Sequence, residues 1–244
     1  MNIFISPEQS YWDNSYESRI YSFAEQTDPL YQWLNEHIPV GKGDCLEVGI
    51  CPGRYSQIIA SKGYTINGID NSKTIFDLEK FLIKSKILVS EMIYADFLNH
   101  NFDRKFQIVT SLGFIEHFKS WRHVISKMAD LVSSGGYFVC EVPNFASPIQ
   151  LALRQELDQQ NLKRHNLESM NLQIWSDILV RMGFSISYRG AFGGFDFWVD
   201  NESRTNQQME LLRNMQFVTN FLRENITVSD ISYSPYIGII ARKD

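Results

Sequence analysis

Between residues 45 and 142, short apolar runs alternate with longer stretches of helical periodicity, and this alternation restricts the fold more than any other feature. Five runs predict buried strands, at residues 45–48, 65–69, 91–94, 106–111 and 137–142. Three intervening stretches predict helices, at residues 54–61, 72–84 and 120–132. Because consecutive strands are joined through helices, we expect a doubly wound, mostly parallel sheet with helices on both faces.

The alternation loosens on either side of this region. Residues 17–37 have a helical pattern that Pro29 is expected to divide, and residues 133–136 predict a turn. Residues 145–170 predict an irregular insertion with one helical piece at 151–159. Beyond it we expect helices at 171–182 and 203–224 and strands at 184–188 and 236–242. This order predicts a seven-stranded α/β sheet with one antiparallel strand near the C-terminus.

Composition argues against several classes of function. The 244 residues carry a net charge of −5 with one short basic cluster at 163–165, so we expect no nucleic-acid partner. The first ten residues lack a signal-peptide pattern, and no apolar stretch approaches the ~20 residues that cross a bilayer. Cys45, Cys51 and Cys140 lack metal-ligand spacing, which predicts reduced thiols in a cytoplasmic protein and no metal site.

The loop after the first predicted strand carries the strongest indication of a ligand. Gly49 stands where the chain must turn sharply, and Gly53 stands where the next helix must begin close to a ligand. An ordinary turn is one alternative, and a dinucleotide site is another. The dinucleotide pattern requires a third glycine, where this chain has Ser56 or Gln57. Glu47 would repel a pyrophosphate but accept a hydrogen bond from an ammonium group, which favours S-adenosylmethionine over NAD.

Acidic residues also follow the next two predicted strands. Asp70 can accept hydrogen bonds from both hydroxyls of a ribose, with Asn71 beside it; the alternative is a helix cap. Asp96 can accept from an adenine amino group while Phe97 covers the ring; the alternative is a solvated turn. Together they predict a ligand that contains adenosine.

Five motifs occur in an order that identifies a family. They are Leu-Glu-Val-Gly-Ile-Cys-Pro-Gly-Arg-Tyr-Ser at 46–56, Gly-Ile-Asp at 68–70, Ala-Asp-Phe at 95–97, Phe-Ile-Glu-His at 114–117 and Ser-Gly-Gly at 134–136. With them the chain resembles the class I S-adenosylmethionine-dependent methyltransferases, especially a small-molecule group with a Glu-His pair after strand four. The resemblance covers about residues 40–145. Cys51 departs from it, since the family loop has a glycine at that position.

The resemblance implies S-adenosyl-L-methionine as methyl donor and S-adenosyl-L-homocysteine as product. The implied cofactor-binding residues are Glu47, Gly49, Cys51, Gly53, Asp70, Asn71, Asp96, Phe97, Ser111, Leu112 and His117. Tyr11, Trp12 and Tyr16 would form part of a lid over the site. We expect a single methyltransferase domain over residues 1–244, with a helical lid at 1–40, a cofactor-binding core at 41–145 and acceptor-side insertions at 145–170 and 192–232.

The acceptor and the catalytic groups are less constrained. His117 is the first candidate for a general base, with a structural histidine as the equal alternative, and His165 is the second, against a solvated loop. The implied acceptor is a small molecule or a sugar or glycan precursor, methylated on oxygen or nitrogen by in-line transfer. The aromatic segment 193–198 lines the acceptor site or is buried packing. Three rivals are an NAD-dependent oxidoreductase, a non-catalytic S-adenosylmethionine-binding regulator, and an RNA or protein methyltransferase, of which the acidic charge disfavours only the RNA enzyme. The sequence leaves a homodimer open.

Overall fold

The computed structural model describes residues 6–17, 21–200 and 203–244, and within them the side chains of Asn14, Tyr16 and Glu17 are not described. The predicted contribution of Tyr16 to a lid therefore lies outside the described part. The seven described strands are β1 Gly43–Val48, β2 Tyr64–Asp70, β3 Val89–Tyr94, β4 Phe106–Leu112, β5 Val132–Pro143, β6 Phe184–Phe192 and β7 Tyr236–Lys243.

The strands form one sheet in the order β3-β2-β1-β4-β5-β7-β6. The pairs among β1 to β5 are parallel, whereas β7 lies antiparallel between β5 and β6. The predicted fold class is thereby confirmed. Strand order reverses between β1 and β4, and parallel sheets of this kind bind ligands at the carboxyl ends of the strands beside such a reversal.

The predicted turn at 133–136 is wrong, because those residues belong to β5. They form a bulge there: Phe106 pairs with Val132, but Ile108 pairs with Tyr137. A Cβ atom on Gly136 would lie 2.7 Å from the backbone oxygen of Gln107, so glycine permits this close approach inside the strand.

Nine α-helices are described. They are α1 Gln9–Glu17, α2 Pro29–His37, α3 Ser56–Ser61, α4 Ile75–Lys84, α5 Trp121–Asp130, α6 Pro148–Leu157, α7 Gln159–Lys163, α8 Leu172–Arg181 and α9 Asn206–Asn225. None of the helices in the described ranges is long and apolar enough to span a membrane.

Two helical predictions need correction. The helix predicted at 17–37 is wrong over residues 21–28, which are not helical. The Asp28 side chain instead caps the start of α2 by accepting hydrogen bonds from the amides of Leu30 and Tyr31, at 2.9 and 3.2 Å. The insertion at 145–170 is more regular than predicted, since α6 and α7 occupy most of it.

The core lies on both faces of the sheet because successive strand residues point to opposite sides. Leu46 and Val109 belong to one buried apolar cluster, and their neighbours Cys45 and Ile108 belong to another. Helices α5 and α8 cover the first cluster, and α2, α3 and α4 cover the second. This two-sided packing fixes the loops at the carboxyl ends of β1, β2 and β4.

Candidate active site

A cavity of about 330 Å³ opens at the carboxyl ends of the parallel strands. The predicted cofactor residues that line it are Trp12, Gly49, Cys51, Asp70, Asn71, Asp96, Phe97, Leu112 and His117. The structure thus brings together residues from five separate stretches of the chain. Glu47, Gly53 and Ser111 are not among the described residues that line this cavity, nor is Tyr11.

Gly49 makes the turn at the end of β1. Its φ angle is 72°, and a Cβ atom there would lie 2.9 Å from Cγ of Phe114. Glycine is required on both grounds. Gly53 has a φ angle of 71°, but an added Cβ would meet the Leu78 side chain of α4 at 2.6 Å. Gly53 therefore allows the loop to pack on α4.

Backbone amides hold the Asp70 carboxylate at the end of β2. Oδ2 accepts from the amide of Cys51 at 3.0 Å, and Oδ1 accepts from the amide of Ser72 at 2.8 Å. Burial raises the pKa of Asp70, and these two amides oppose that effect. Each carboxylate oxygen can accept a further hydrogen bond. The Cys51 side chain is also accommodated: it is buried, and its Sγ accepts from the Thr74 hydroxyl at 3.7 Å.

Glu47 lies buried near the end of β1, next to the loop that contains Gly49 and Gly53. Its side chain is buried, and Oε2 has no hydrogen-bond partner among the described residues. Burial, with a smaller contribution from the nearby Asp70 charge, raises the pKa of Glu47 to about 8. An unsatisfied buried carboxyl is costly, so its retention calls for an explanation.

The far end of the cavity contains the residues that follow β3. Asp96 accepts from the amide of Leu98 at 2.9 Å and from the Asn99 side chain at 2.6 Å. Phe97 is buried and contributes to the lining, as does Asp96. An acidic oxygen and an aromatic ring are thus presented at one end of the cavity.

A second cavity, of about 320 Å³, adjoins the first. The two cavities share the residues Trp12, Leu112, Gly113 and His117. The aromatic residues of the second cavity are Tyr11, Trp12, Tyr55, Phe145, Trp198 and Tyr236. Its charged and polar residues are Glu116, His117, Glu141, Asn161, Arg164, His165 and Asp200. Such a mixture of aromatic and polar groups fits a ring that bears polar substituents.

Two histidines and a glutamate meet at the wall between the cavities. Glu116 and His117 end a short 3₁₀ turn, Ile115–His117, directly after β4, and His165 follows α7. The centres of the two imidazole rings lie 4.7 Å apart, and His117 Nε2 lies 3.6 Å from Glu116 Oε1. Burial lowers the pKa of His117 to about 4 and raises that of Glu116 to about 8. Both rings are therefore neutral at pH 7, since burial also lowers the pKa of His165.

Helix α1 covers both cavities. The Trp12 ring meets the His117 ring edge-on at 4.7 Å between ring centres. Tyr11 donates from its hydroxyl to Asp200 at 3.2 Å, and the Arg164 guanidinium lies 4.5 Å from the centre of the Tyr11 ring. Gln9 donates to the backbone oxygen of Asn71 at 2.6 Å. These contacts join the N-terminal helix to the edges of both cavities.

A buried ionic group organises the insertions that form the second cavity. Asp158 Oδ2 is bonded to Arg154 and accepts from the Asn161 side chain at 2.8 Å. Oδ1 accepts from the Asp200 amide at 2.9 Å and from Arg204 at 3.3 Å. One carboxylate thus connects α6 and α7 to the segment that follows β6.

The segment 193–198 contributes both to a cavity wall and to buried packing. Trp198 lines the second cavity, whereas Phe195 and Phe197 pack in a buried cluster with Leu157. Gly113, which sequence reasoning missed, lines both cavities and has a φ angle of 68°. Its place directly after β4 and before the Phe-Ile-Glu-His motif is a signal that would have identified it.

Comparisons with known proteins agree with this geometry. Residues 46–140 match the family model described as a methyltransferase domain. Ubiquinone biosynthesis O-methyltransferase of Stutzerimonas stutzeri is 26% identical over 129 residues, which cover 52% of this chain and 54% of that protein. The chain spans about half the length of the curated relatives it matches.

Two solved structures show the same fold. A SAM-dependent methyltransferase from Archaeoglobus fulgidus has a TM-score of 0.56 at 17% identity, over 97% of this chain and all of that one (100%). Magnesium protoporphyrin IX methyltransferase from Synechocystis, crystallised with SAM, has a TM-score of 0.54 at 15% identity, over 97% and 95% of the two chains. Residues 46–140 therefore match a methyltransferase domain, within a chain that has the fold of these S-adenosylmethionine-dependent methyltransferases.

Proposed function

We propose that the protein transfers a methyl group from S-adenosyl-L-methionine to a small acceptor that contains a ring. The observation that carries this proposal is the wall shared by the two cavities. Trp12, Leu112, Gly113 and His117 border both, so a donor in the first cavity would face an acceptor in the second. Methyl transfer needs this arrangement, because the two reacting atoms must approach within ~3–3.5 Å in line.

The first cavity accommodates the cofactor in a consistent orientation. We place the ribose hydroxyls at Asp70 and Asn71 and the adenine beside Asp96 and Phe97, all of which line the cavity. The methionine arm would then lie along the turn after β1 and against Leu112. Glu47 does not line the cavity. Burial also raises its pKa to about 8, so a contact between Glu47 and the ammonium group is not part of this placement.

The acceptor group is most simply a hydroxyl. The curated relatives are O-methyltransferases by name, and the aromatic residues of the second cavity favour an aromatic or sugar ring. The acceptor oxygen forms a bond to the methyl carbon and the carbon–sulfur bond breaks. The electron pair stays on sulfur, giving S-adenosyl-L-homocysteine, and the hydroxyl proton passes to water. We propose that His117 and His165 hold the reacting group at the shared wall.

Binding measurements test the cofactor assignment directly. Calorimetry with S-adenosyl-L-homocysteine should give a Kd in the micromolar range or below, whereas NAD should not bind. Asp70→Ala should abolish binding, because the ribose loses its acceptor. Asp77→Ala is the matched control, since Asp77 is an exposed aspartate on α4 that lines neither cavity. Equal affinity in the wild-type protein and Asp70→Ala would refute the assignment.

Transfer itself needs a separate assay. With radiolabelled S-adenosyl-L-methionine, a panel of catechols, phenols, sugars and amines should yield label in a hydroxylated ring compound. Cofactor binding without transfer to any member of the panel would favour the non-catalytic regulator.

A further inference from the structure

Glu116, His117 and His165 are arranged as a set of metal ligands. All three are buried, and one ligand atom from each lies within 4.8 Å of those from the other two. All three also line the second cavity. Asn166, next to His165, joins the two segments: its amide donates to the Glu116 backbone oxygen at 2.7 Å, and its side chain donates to the Phe118 backbone oxygen at 3.0 Å.

Hydrogen bonds fix both imidazoles in the form that binds metals. His117 Nδ1 lies 2.9 Å from the backbone oxygen of Arg164, and His165 Nδ1 lies 2.7 Å from that of Asn161. Because a carbonyl oxygen can only accept, each Nδ1 must carry the proton. The lone pair of each ring is therefore on Nε2. Histidine ligands in metalloproteins are oriented in this way, with the second nitrogen donating to a carbonyl or carboxylate.

Glu116 supplies a buried carboxyl group that is only partly hydrogen-bonded. Its side chain is 1% exposed, and Oε2 has no hydrogen-bond partner in the part of the chain that the structure describes. Its contact with His117 Nε2, at 3.6 Å, is too long for a hydrogen bond. A buried carboxyl group in this condition is destabilising unless something else binds it.

We propose that Glu116, His117 and His165 bind one divalent transition-metal ion, of which Zn²⁺ is the best probe. Two imidazoles and one carboxylate suit Zn²⁺, Co²⁺ or Fe²⁺ better than Mg²⁺ or Ca²⁺, which prefer oxygen ligands throughout. Bonds of ~2.1 Å require ligand atoms about 3.0–3.5 Å apart. The present spacing, of up to 4.8 Å, therefore closes by up to about 1.3–1.8 Å when an ion enters, through side-chain rotations.

Three protein ligands leave coordination positions open, as in catalytic metal sites. Since all three residues line the second cavity, the open positions face the acceptor. This part of the inference rests on the proposed function: an ion held there would act as a Lewis acid on the acceptor hydroxyl, whose proton would pass to water more readily. The oxygen attacks the methyl carbon, the carbon–sulfur bond breaks with its electron pair on sulfur, and the ion keeps its oxidation state.

Metal binding is tested on the full chain without a histidine tag, after chelation and dialysis. Calorimetry with Zn²⁺ should show one site per chain, and Co²⁺ should give visible absorption bands. Glu116→Gln and His165→Gln should each weaken Zn²⁺ binding by more than ~100-fold, because even changes outside the ligand shell cost 10–100-fold. His123→Gln is the control, since His123 is exposed on α5, and it should bind as the wild type does.

Each outcome decides between the two proposals. Failure of the stripped wild-type protein to bind Zn²⁺ overturns the metal site without any variant, and so does unchanged binding in both folded variants. Thermal unfolding of the same samples identifies a variant that has not folded. S-adenosyl-L-homocysteine binding without Zn²⁺ binding leaves the proposed function intact and removes the metal site. Zn²⁺ binding without S-adenosyl-L-homocysteine binding leaves the metal site intact and removes the proposed function.

Discussion

Replacing Asp158 with asparagine tests what holds the acceptor side of the molecule together. Asp158 and Arg154 are both 0% exposed, and Asp158 binds Arg154, Asn161, the Asp200 amide and Arg204. Arg154 Nε and Nη2 have no hydrogen-bond partners among the described residues, so the contact with Asp158 is its main compensation for burial. Removing the partner of a buried charge costs about 3–5 kcal/mol. Asparagine preserves the volume, so we expect Asp158→Asn to lower the free energy of unfolding by that amount.

Two comparison variants isolate the cause. Asp77→Asn breaks an ion pair in which the Asp77 and Lys80 side chains are 64% and 77% exposed, so it should have little effect on the free energy of unfolding. Arg154→Met removes the buried cation but leaves Asp158 paired with Arg204. We therefore expect Arg154→Met to cost less than Asp158→Asn, although Arg154 also stacks at 3.4 Å on the Phe145 ring.

Urea denaturation at pH 7, followed by circular dichroism, measures all three variants. A cost for Asp158→Asn below about 1 kcal/mol would refute the reasoning. A larger cost for Arg154→Met than for Asp158→Asn would show that stacking, and not charge pairing, dominates. Affinity for S-adenosyl-L-homocysteine should change little in the folded variants, because neither residue lines the first cavity.

Two further predictions concern the loop after β1. Gly49 has a φ angle of 72°, and an added Cβ would collide with Phe114, so Gly49→Ala should lower both stability and affinity for S-adenosyl-L-homocysteine. Gly183 has a φ angle of 81° but open space around it, so the control Gly183→Ala should lower only stability, by about 1 kcal/mol. Equal affinity in both variants would contradict the steric argument. Burial raises the Glu47 pKa from 4.5 to about 8, so its protonated form stabilises the fold below pH 4.5 and that stability is lost as pH rises through 8. The free energy of unfolding of Glu47→Gln relative to the wild type, measured by urea denaturation, should therefore rise by at least ~1 kcal/mol between pH 5 and pH 8.5. A relative stability that does not change with pH would refute the raised pKa of Glu47.

The cofactor half of the fold was predictable because its determinants are local. Residues 45–48 and 106–111 were predicted as strands, and the structure has β1 at Gly43–Val48 and β4 at Phe106–Leu112. Apolar runs between turn residues encode such strands directly. The glycines at 135 and 136 misled the prediction, because glycine marks both turns and bulges. Whether these two glycines form a turn or a bulge depends on how β5 pairs with β4. The local sequence carries no information about that pairing.

The start of α2 shows a signal that was present and overlooked. Asp28 followed by Pro29 is a helix cap followed by proline at the first helical position. Reading that pair as a start, instead of reading Pro29 as a break, would have removed the erroneous helix before it. The hydrophobic periodicity of residues 17–37 concealed this local signal.

The acceptor half depends on contacts that sequence periodicity does not reveal. His165 lies 48 positions after His117 in the chain, in a segment predicted to be irregular, yet their rings lie 4.7 Å apart. What brings them together is the buried ion group at Asp158 and the hydrogen bonds of Asn166 to the turn after β4. The first cavity is lined by α1 and the loops after the parallel strands, whereas the second combines strand ends such as Leu112, Glu141 and Tyr236 with residues of the insertions. Substitutions in α6, α7 and residues 193–200 should therefore alter the choice of acceptor while cofactor affinity is preserved, and the reverse should hold for the loops after β1, β2 and β3.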